Sequence, residues 1–148
     1  METFPFEIGE TAHALRKAFA RRAASLSVTG AQWKVLLKLT LKPGLRQAEL
    51  ADMLDIEPIT LSRMVDRLQE AGLVERSADP ADRRAWRLHV TAKAQPIVKR
   101  LRAIADQMTT EAIAGINPKD IETTRRVLAR LREQLCQSSS SVNKAANQ

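Results

Sequence analysis

Residues 58–72 are bracketed by a proline and a glycine. The short helix this punctuation imposes constrains everything around it. Pro58 suits a first helical turn and pushes Glu57 out of the helical region. Gly72 suits the stop. Between them Leu61, Met64, Val65 and Leu68 share one face, and Thr60, Arg63, Asp66, Arg67 and Glu70 share the other, with Ser62 at the border. Just upstream, Gln47 to Leu54 sets Leu50, Ala51 and Leu54 on one apolar face, and Asp55 to Pro58 breaks that helix. Two short helices joined by a tight turn make a helix-turn-helix.

In that motif the second helix is the one that enters the major groove of DNA. Arg63 can donate two hydrogen bonds to O6 and N7 of guanine, and Thr60 and Ser62 can reach bases or phosphates. The competing reading is a pair of amphipathic surface helices in any small helical protein.

The segment after Gly72 favours DNA. Leu73 and Val74 open a strand, and Trp86, Leu88 and Val90 alternate with Arg87 and His89. The turn between them carries Asp79, Pro80, Asp82, Arg83 and Arg84, and Asp-Pro is turn chemistry. A hairpin directly after a helix-turn-helix is a wing, and an arginine at its tip can enter the narrow minor groove of A·T-rich DNA. Asp82, beside both arginines, could hold a guanidinium in place. The plainer alternative is a solvated, charged hairpin tip.

Leu50-Ala51 with Leu54 and Ile56, the run Thr60 to Leu68, Gly72 to Arg76, and Asp82-Arg83-Arg84 followed by Val90-Thr91 resemble the MarR family of bacterial transcriptional regulators. The resemblance runs from about Leu15 to Leu135. Asp82 to Ala85, Thr91 to Pro96 and Ala114 to Ile116 are most similar to the SlyA-like branch. Ala94 stands where many members have glycine, and that branch lacks the glycine too. The resemblance implies a mainly α fold with a small antiparallel β hairpin (α+β), a winged helix-turn-helix at 29–91, and dimerisation helices at 7–26 and 97–137. It ranks Arg84 as the minor-groove side chain, with Arg83 on the backbone. Arg67, Arg76 and Gln47 are expected phosphate contacts, which supply salt-dependent affinity rather than sequence discrimination.

The composition agrees with a polyanionic partner. The 148 residues carry a net charge of +7 and a pI of about 10.2, which leaves nucleic acid or a membrane surface as candidates. The basic residues are dispersed over several elements rather than lining one amphipathic helix, which disfavours the membrane. No apolar run reaches membrane-spanning length and the N-terminus lacks a signal-peptide core. One cysteine, Cys136, excludes an intrachain disulfide and fits a reducing bacterial cytoplasm. No nucleophile–base–acid set, phosphate-cradling glycine loop or metal-ligand spacing is present, so neither an enzyme nor a cofactor is expected.

The remaining segments read as scaffold. Met1 to Phe6 is a loose lead-in. Glu7 to about Ser25 is a helix whose face runs through Leu15, Ala18, Phe19, Arg22, Ala23 and Leu26. Thr29 can cap the next helix, where Trp33, Leu36, Leu37 and Thr40 share a side and Pro43-Gly44 ends the run. Leu45-Arg46 is expected to add a one- or two-residue strand to the wing sheet. Thr91 looks like a further cap, but Pro96 requires either a later helix start or a bend. Ile97, Leu101, Ile104, Met108 and Ala112 are spaced near a heptad, and Gly115 ends them. Asn117-Pro118-Lys119-Asp120 is a second start, and Ile121, Leu128, Leu131 and Leu135 follow. Residues 138–148 are polar and read as a disordered tail.

The function implied is a dimeric, sequence-specific DNA-binding regulator on a pseudo-palindromic operator, released by a small aromatic carboxylate or phenol. His13, Arg16, Thr29 and Trp33 are the candidate effector residues, an arginine pairing with a carboxylate and an indole stacking on a ring. Core packing for Trp33 and capping for Thr29 are the competing readings. Two alternatives are a winged-helix protein adaptor and a redox-responsive regulator using Cys136, although no cation or resolving partner is evident near that thiol.

Overall fold

The computed structural model describes residues 3–145 and divides into two compact units, Met1–Met108 and Thr109–Gln148. In the first unit α1 (Phe4–Ala23) is followed by a 3₁₀ turn, α2 (Gly30–Leu41), α3 (Gln47–Met53), α4 (Pro58–Glu70), strands β1 (Val74–Ala78) and β2 (Trp86–Val90), a second 3₁₀ turn, and α5 (Gln95–Ala112). The second unit is dominated by α6 (Pro118–Ala145). No helix among the described residues is long and apolar enough to cross a membrane.

The local signals act as the residues suggest. Thr29 closes a capping box on α2: its Oγ1 accepts the Gln32 N–H at 3.1 Å, and Gln32 Oε1 accepts the Thr29 N–H at 3.1 Å. Pro58 opens α4, and Gly72 follows its C-cap with φ +75°, a left-handed turn that a side chain would strain. β1 and β2 pair antiparallel with Val74 opposite Val90 and Ala78 opposite Trp86. The short strand expected at Leu45-Arg46 is there: Arg46 bridges Arg87, and Leu45 C=O accepts the Leu88 N–H at 2.9 Å.

One apolar cluster organises the first unit. Leu50 and Ala51 of α3, Leu61, Val65 and Leu68 of α4, Val74 and Leu88 of the hairpin, and Val98 and Leu101 of α5 are buried in it. The opposite face of α4 stays exposed. Burying each of the larger aliphatic side chains contributes about 1.5–3 kcal/mol before the entropy of ordering.

The structure refines three boundaries and one buried face of the sequence reading. α1 begins at Phe4 rather than Glu7, because Pro5 fits a first turn and nothing after Thr3 breaks the helix. Residues 1 and 2 of the expected lead-in lie outside the described residues. α2 buries Val35 and Leu39 as well as Trp33 and Leu36, because both α1 and β2 pack on it. Thr91, expected as a cap, stands at the N-cap position of the 3₁₀ turn but makes no side-chain cap bond, its hydroxyl donating to the Gly72 carbonyl at 2.6 Å; α5 starts at Gln95 and Pro96 falls in its first turn, with no bend required. The backbone of α6 stays helical through Ala145, where a disordered tail was expected from 138. No proline or glycine follows Pro118 to stop it. The last part of that tail, residues 146–148, lies outside the described residues.

Candidate nucleic-acid interface

The exposed surface of α4 follows from its period. With Leu61, Val65 and Leu68 turned into the core, Thr60, Arg63, Asp66 and Arg67 stand in solvent and Ser62 is half-buried. The wing tip carries Arg83 and Arg84, both exposed. Among the described residues no carboxylate pairs with Arg63, Arg67, Arg83 or Arg84. Four guanidiniums are therefore open to an anionic partner.

Arg76 is different. Reaching from β1, its Nε donates to Gln47 Oε1 at 3.1 Å, Nη1 to Asp66 Oδ1 at 2.6 Å and Gln69 Oε1 at 2.9 Å, and Nη2 to the Ser62 carbonyl at 3.1 Å. Its side chain is only 14% exposed. The guanidinium thus ties the start of α3, the middle of α4 and the first wing strand together. Two residues expected on phosphates, Arg76 and Gln47, are engaged with each other. The extended φ/ψ of β1 turns Arg76 toward the helices, and no spacing rule states which face of a short strand meets them.

The wing is braced at its base by a residue that sequence reasoning took for turn chemistry. Asp79 is buried. Its Oδ1 accepts the Ala81 N–H at 2.8 Å, and Oδ2 meets Arg46 Nε at 2.6 Å and Arg87 Nε at 3.3 Å. Oδ2 has no well-directed hydrogen bond among the described residues, so charge rather than direction holds it there. The Ala81 N–H, reinforced by the two guanidiniums, keeps the Asp79 carboxyl below its ordinary pKa, and burial opposes this less strongly. Arg87 also donates from Nη1 to the Gly44 carbonyl at 3.0 Å. These contacts link the hairpin to the residues that lead into α3. The available signal was composition: one acid flanked by basic strand residues.

Asp82, the expected support for the wing arginines, acts on backbone instead. Its Oδ1 accepts the Arg84 N–H at 2.9 Å, and its carbonyl accepts the Ala85 N–H at 3.1 Å. That shapes the tip as an Asx turn and leaves the Arg84 side chain free.

The candidate effector residues are dispersed. Trp33 is buried and stacked on Phe19 with centroids 5.9 Å apart. Thr29 is committed to its capping box. His13 and Arg16 are exposed on α1. Cys136 is exposed on α6.

Three comparisons bear on this arrangement. The model of the MarR family matches residues 28–86, from the approach to α2 through the wing tip. The crystal structure of transcriptional regulator PA3341 is 33% identical and superposes with a TM-score of 0.82, over 90% of this chain and 98% of that one. A SlyA-like transcription regulator from Listeria monocytogenes superposes with a TM-score of 0.86 at 22% identity, over 97% of this chain and 96% of that one. A putative MarR family transcriptional regulator from the same organism, complexed with 26mer DNA, gives 0.84 at 22% identity with the same coverage.

Proposed function

The chain belongs to the MarR family of transcriptional regulators, and from that premise we propose that it is a homodimer that reads a pseudo-palindromic operator. Arg63, Thr60 and Ser62 read or flank base edges in the major groove. Arg84 enters the adjoining minor groove. Arg67 and Arg83 bind phosphates. The observation that carries this reading is the pairing of an unneutralised recognition face on α4 with a wing tip whose arginines are also unneutralised. A structural neighbour, a putative MarR family transcriptional regulator complexed with 26mer DNA, supports DNA as the partner.

Exposed apolar surface supports a dimer. Phe4 and Phe6 on α1, and Val127 on α6, are exposed at 52%, 70% and 44%. Apolar groups of this size favour association with a like surface. A two-fold dimer sets its recognition helices about 34 Å apart, one turn of B-DNA, and so requires an inverted repeat.

The test is selection from random duplexes by the purified protein, then a salt titration on the winner. An inverted repeat with A·T-rich flanks supports the proposal. Equal, weak and steeply salt-dependent binding to all duplexes refutes it, leaving only charge-driven association.

A further inference from the structure

Between the wing and the helix-turn-helix lies a cleft of about 370 Å³, lined among others by Arg46, Ala48, Pro58, Asp82, Arg84 and Trp86. Trp86 begins β2 opposite Ala78, and its residue is 49% exposed. An indole this open, on a hairpin whose Val74 and Leu88 are buried in the core, is an exposed apolar platform. Its neighbours Ala48 and Pro58 extend that apolar lining. At the rim Arg84 has no carboxylate partner among the described residues, while Arg46 keeps its Nε on Asp79 at 2.6 Å and lies 3.8 Å from Glu49. The Asp82 carboxylate is turned to the Arg84 N–H.

We propose that this cleft seats one deoxyribose unit of the operator backbone, with the sugar against the Trp86 indole at the point where Arg84 passes into the minor groove. The proposal rests on the DNA-docking reading above and names a contact within it. A recognition helix in a major groove and a wing in the adjacent minor groove must straddle the strand that separates those grooves. That strand then runs through the space between α4 and the wing, where the cleft lies. Deoxyribose lacks the 2′-hydroxyl of ribose and presents a C–H face flanked by anions. An apolar floor beside the Arg84 guanidinium matches that pattern, and contacts of this type position the protein without reading sequence.

The experiment uses the chain's two tryptophans. Trp33→Phe leaves Trp86 as the sole indole and retains an aromatic partner for Phe19. Duplex is titrated into this variant while Trp86 emission and the anisotropy of a fluorescein-labelled duplex are followed together. The expected result is a saturable change in Trp86 emission with the same midpoint as the anisotropy. Trp86→Ala should weaken binding about tenfold on selected and random duplexes alike with an unchanged salt slope, and Trp86→Phe should stay within about threefold of wild type. Should Trp33→Phe unfold, the difference in emission between wild type and Trp86→Phe gives the same reading. Flat Trp86 emission while the labelled duplex binds overturns this inference alone. Absence of binding to any duplex overturns it together with the DNA-docking reading. A saturable response to salicylate with none to duplex assigns the cleft to a small aromatic anion, and overturns it as well.

Discussion

Arg63 leaves α4 on its exposed face, whereas Arg76 arrives from β1 and ends among four oxygens. Their mutants should separate accordingly. Arg63→Ala should cost about 1–3 kcal/mol on the selected operator and much less on random duplex, since a bidentate guanine contact is lost. Equal losses on both, measured by fluorescence anisotropy, would remove Arg63 as a base reader. Arg76→Ala should lower folding stability by about 1–3 kcal/mol in urea denaturation. Most of that comes from its half-buried bonds to Ser62 and Gln47, because Asp66 is 54% exposed and that ion pair is screened. Its salt slope for DNA should stay at the wild-type value, while Arg84→Ala should reduce the slope by about one. A reduced slope in Arg76→Ala would return that residue to the phosphates. Asp79 gives a pH prediction. Its folded pKa lies below the ordinary aspartate value, so its stabilisation is complete above about pH 3.9 and is lost as pH falls through the folded value. Asp79→Asn should lower the melting temperature at neutral pH and flatten its decline below pH 4, as followed by circular dichroism.

At the scale of elements, the turn between α3 and α4 decides where the recognition helix points. Asp55 sits in it with φ +50°, a left-handed conformation that aspartate tolerates and β-branched residues resist. Asp55→Val should therefore destabilise by about 1–2 kcal/mol, and Asp55→Gly should not. A urea midpoint unchanged in Asp55→Val would mean that the turn relaxes at no cost. The wing is a two-stranded hairpin, marginal by itself in water. It is steadied by the Leu45-Arg46 bridge and by Asp79, which bind its base to the residues leading into α3. The tip can then project Arg83 and Arg84 while its root stays fixed.

For the whole molecule, the exposed apolar residues on α1 and α6 set the expectation. Sedimentation equilibrium should give twice the 16.5 kDa chain mass, and Val127→Asp should shift the population toward monomer by placing a charge on apolar surface that the proposed dimer would cover. A wild-type chain that sediments as a monomer at micromolar concentration would remove the two-fold symmetry from the operator model. The +7 charge is spread over the chain, so association with DNA should be fast at low salt and slow steeply as salt rises.

Periodicity and punctuation were enough to place α3, α4 and both wing strands, because burial of one face is written in spacing: Leu61, Val65 and Leu68 recur at the helical period, and Leu88 and Val90 at two, although Trp86 of the same alternation stays exposed. Capping at Thr29 and the stop at Gly72 were equally legible, being contests between neighbouring backbone groups. Spacing could not tell which arginines stay free. Arg76 and Arg84 look alike along the chain, and only the folding of β1 against α3 and α4 surrounds one with acceptors and leaves the other open. Asp79 likewise became a brace only once Arg46 and Arg87, far apart in sequence, met at the root of the wing. Local spacing determines which face of an element is buried; the partners of a charged side chain depend on contacts between elements, and these exist only after the chain has closed on itself.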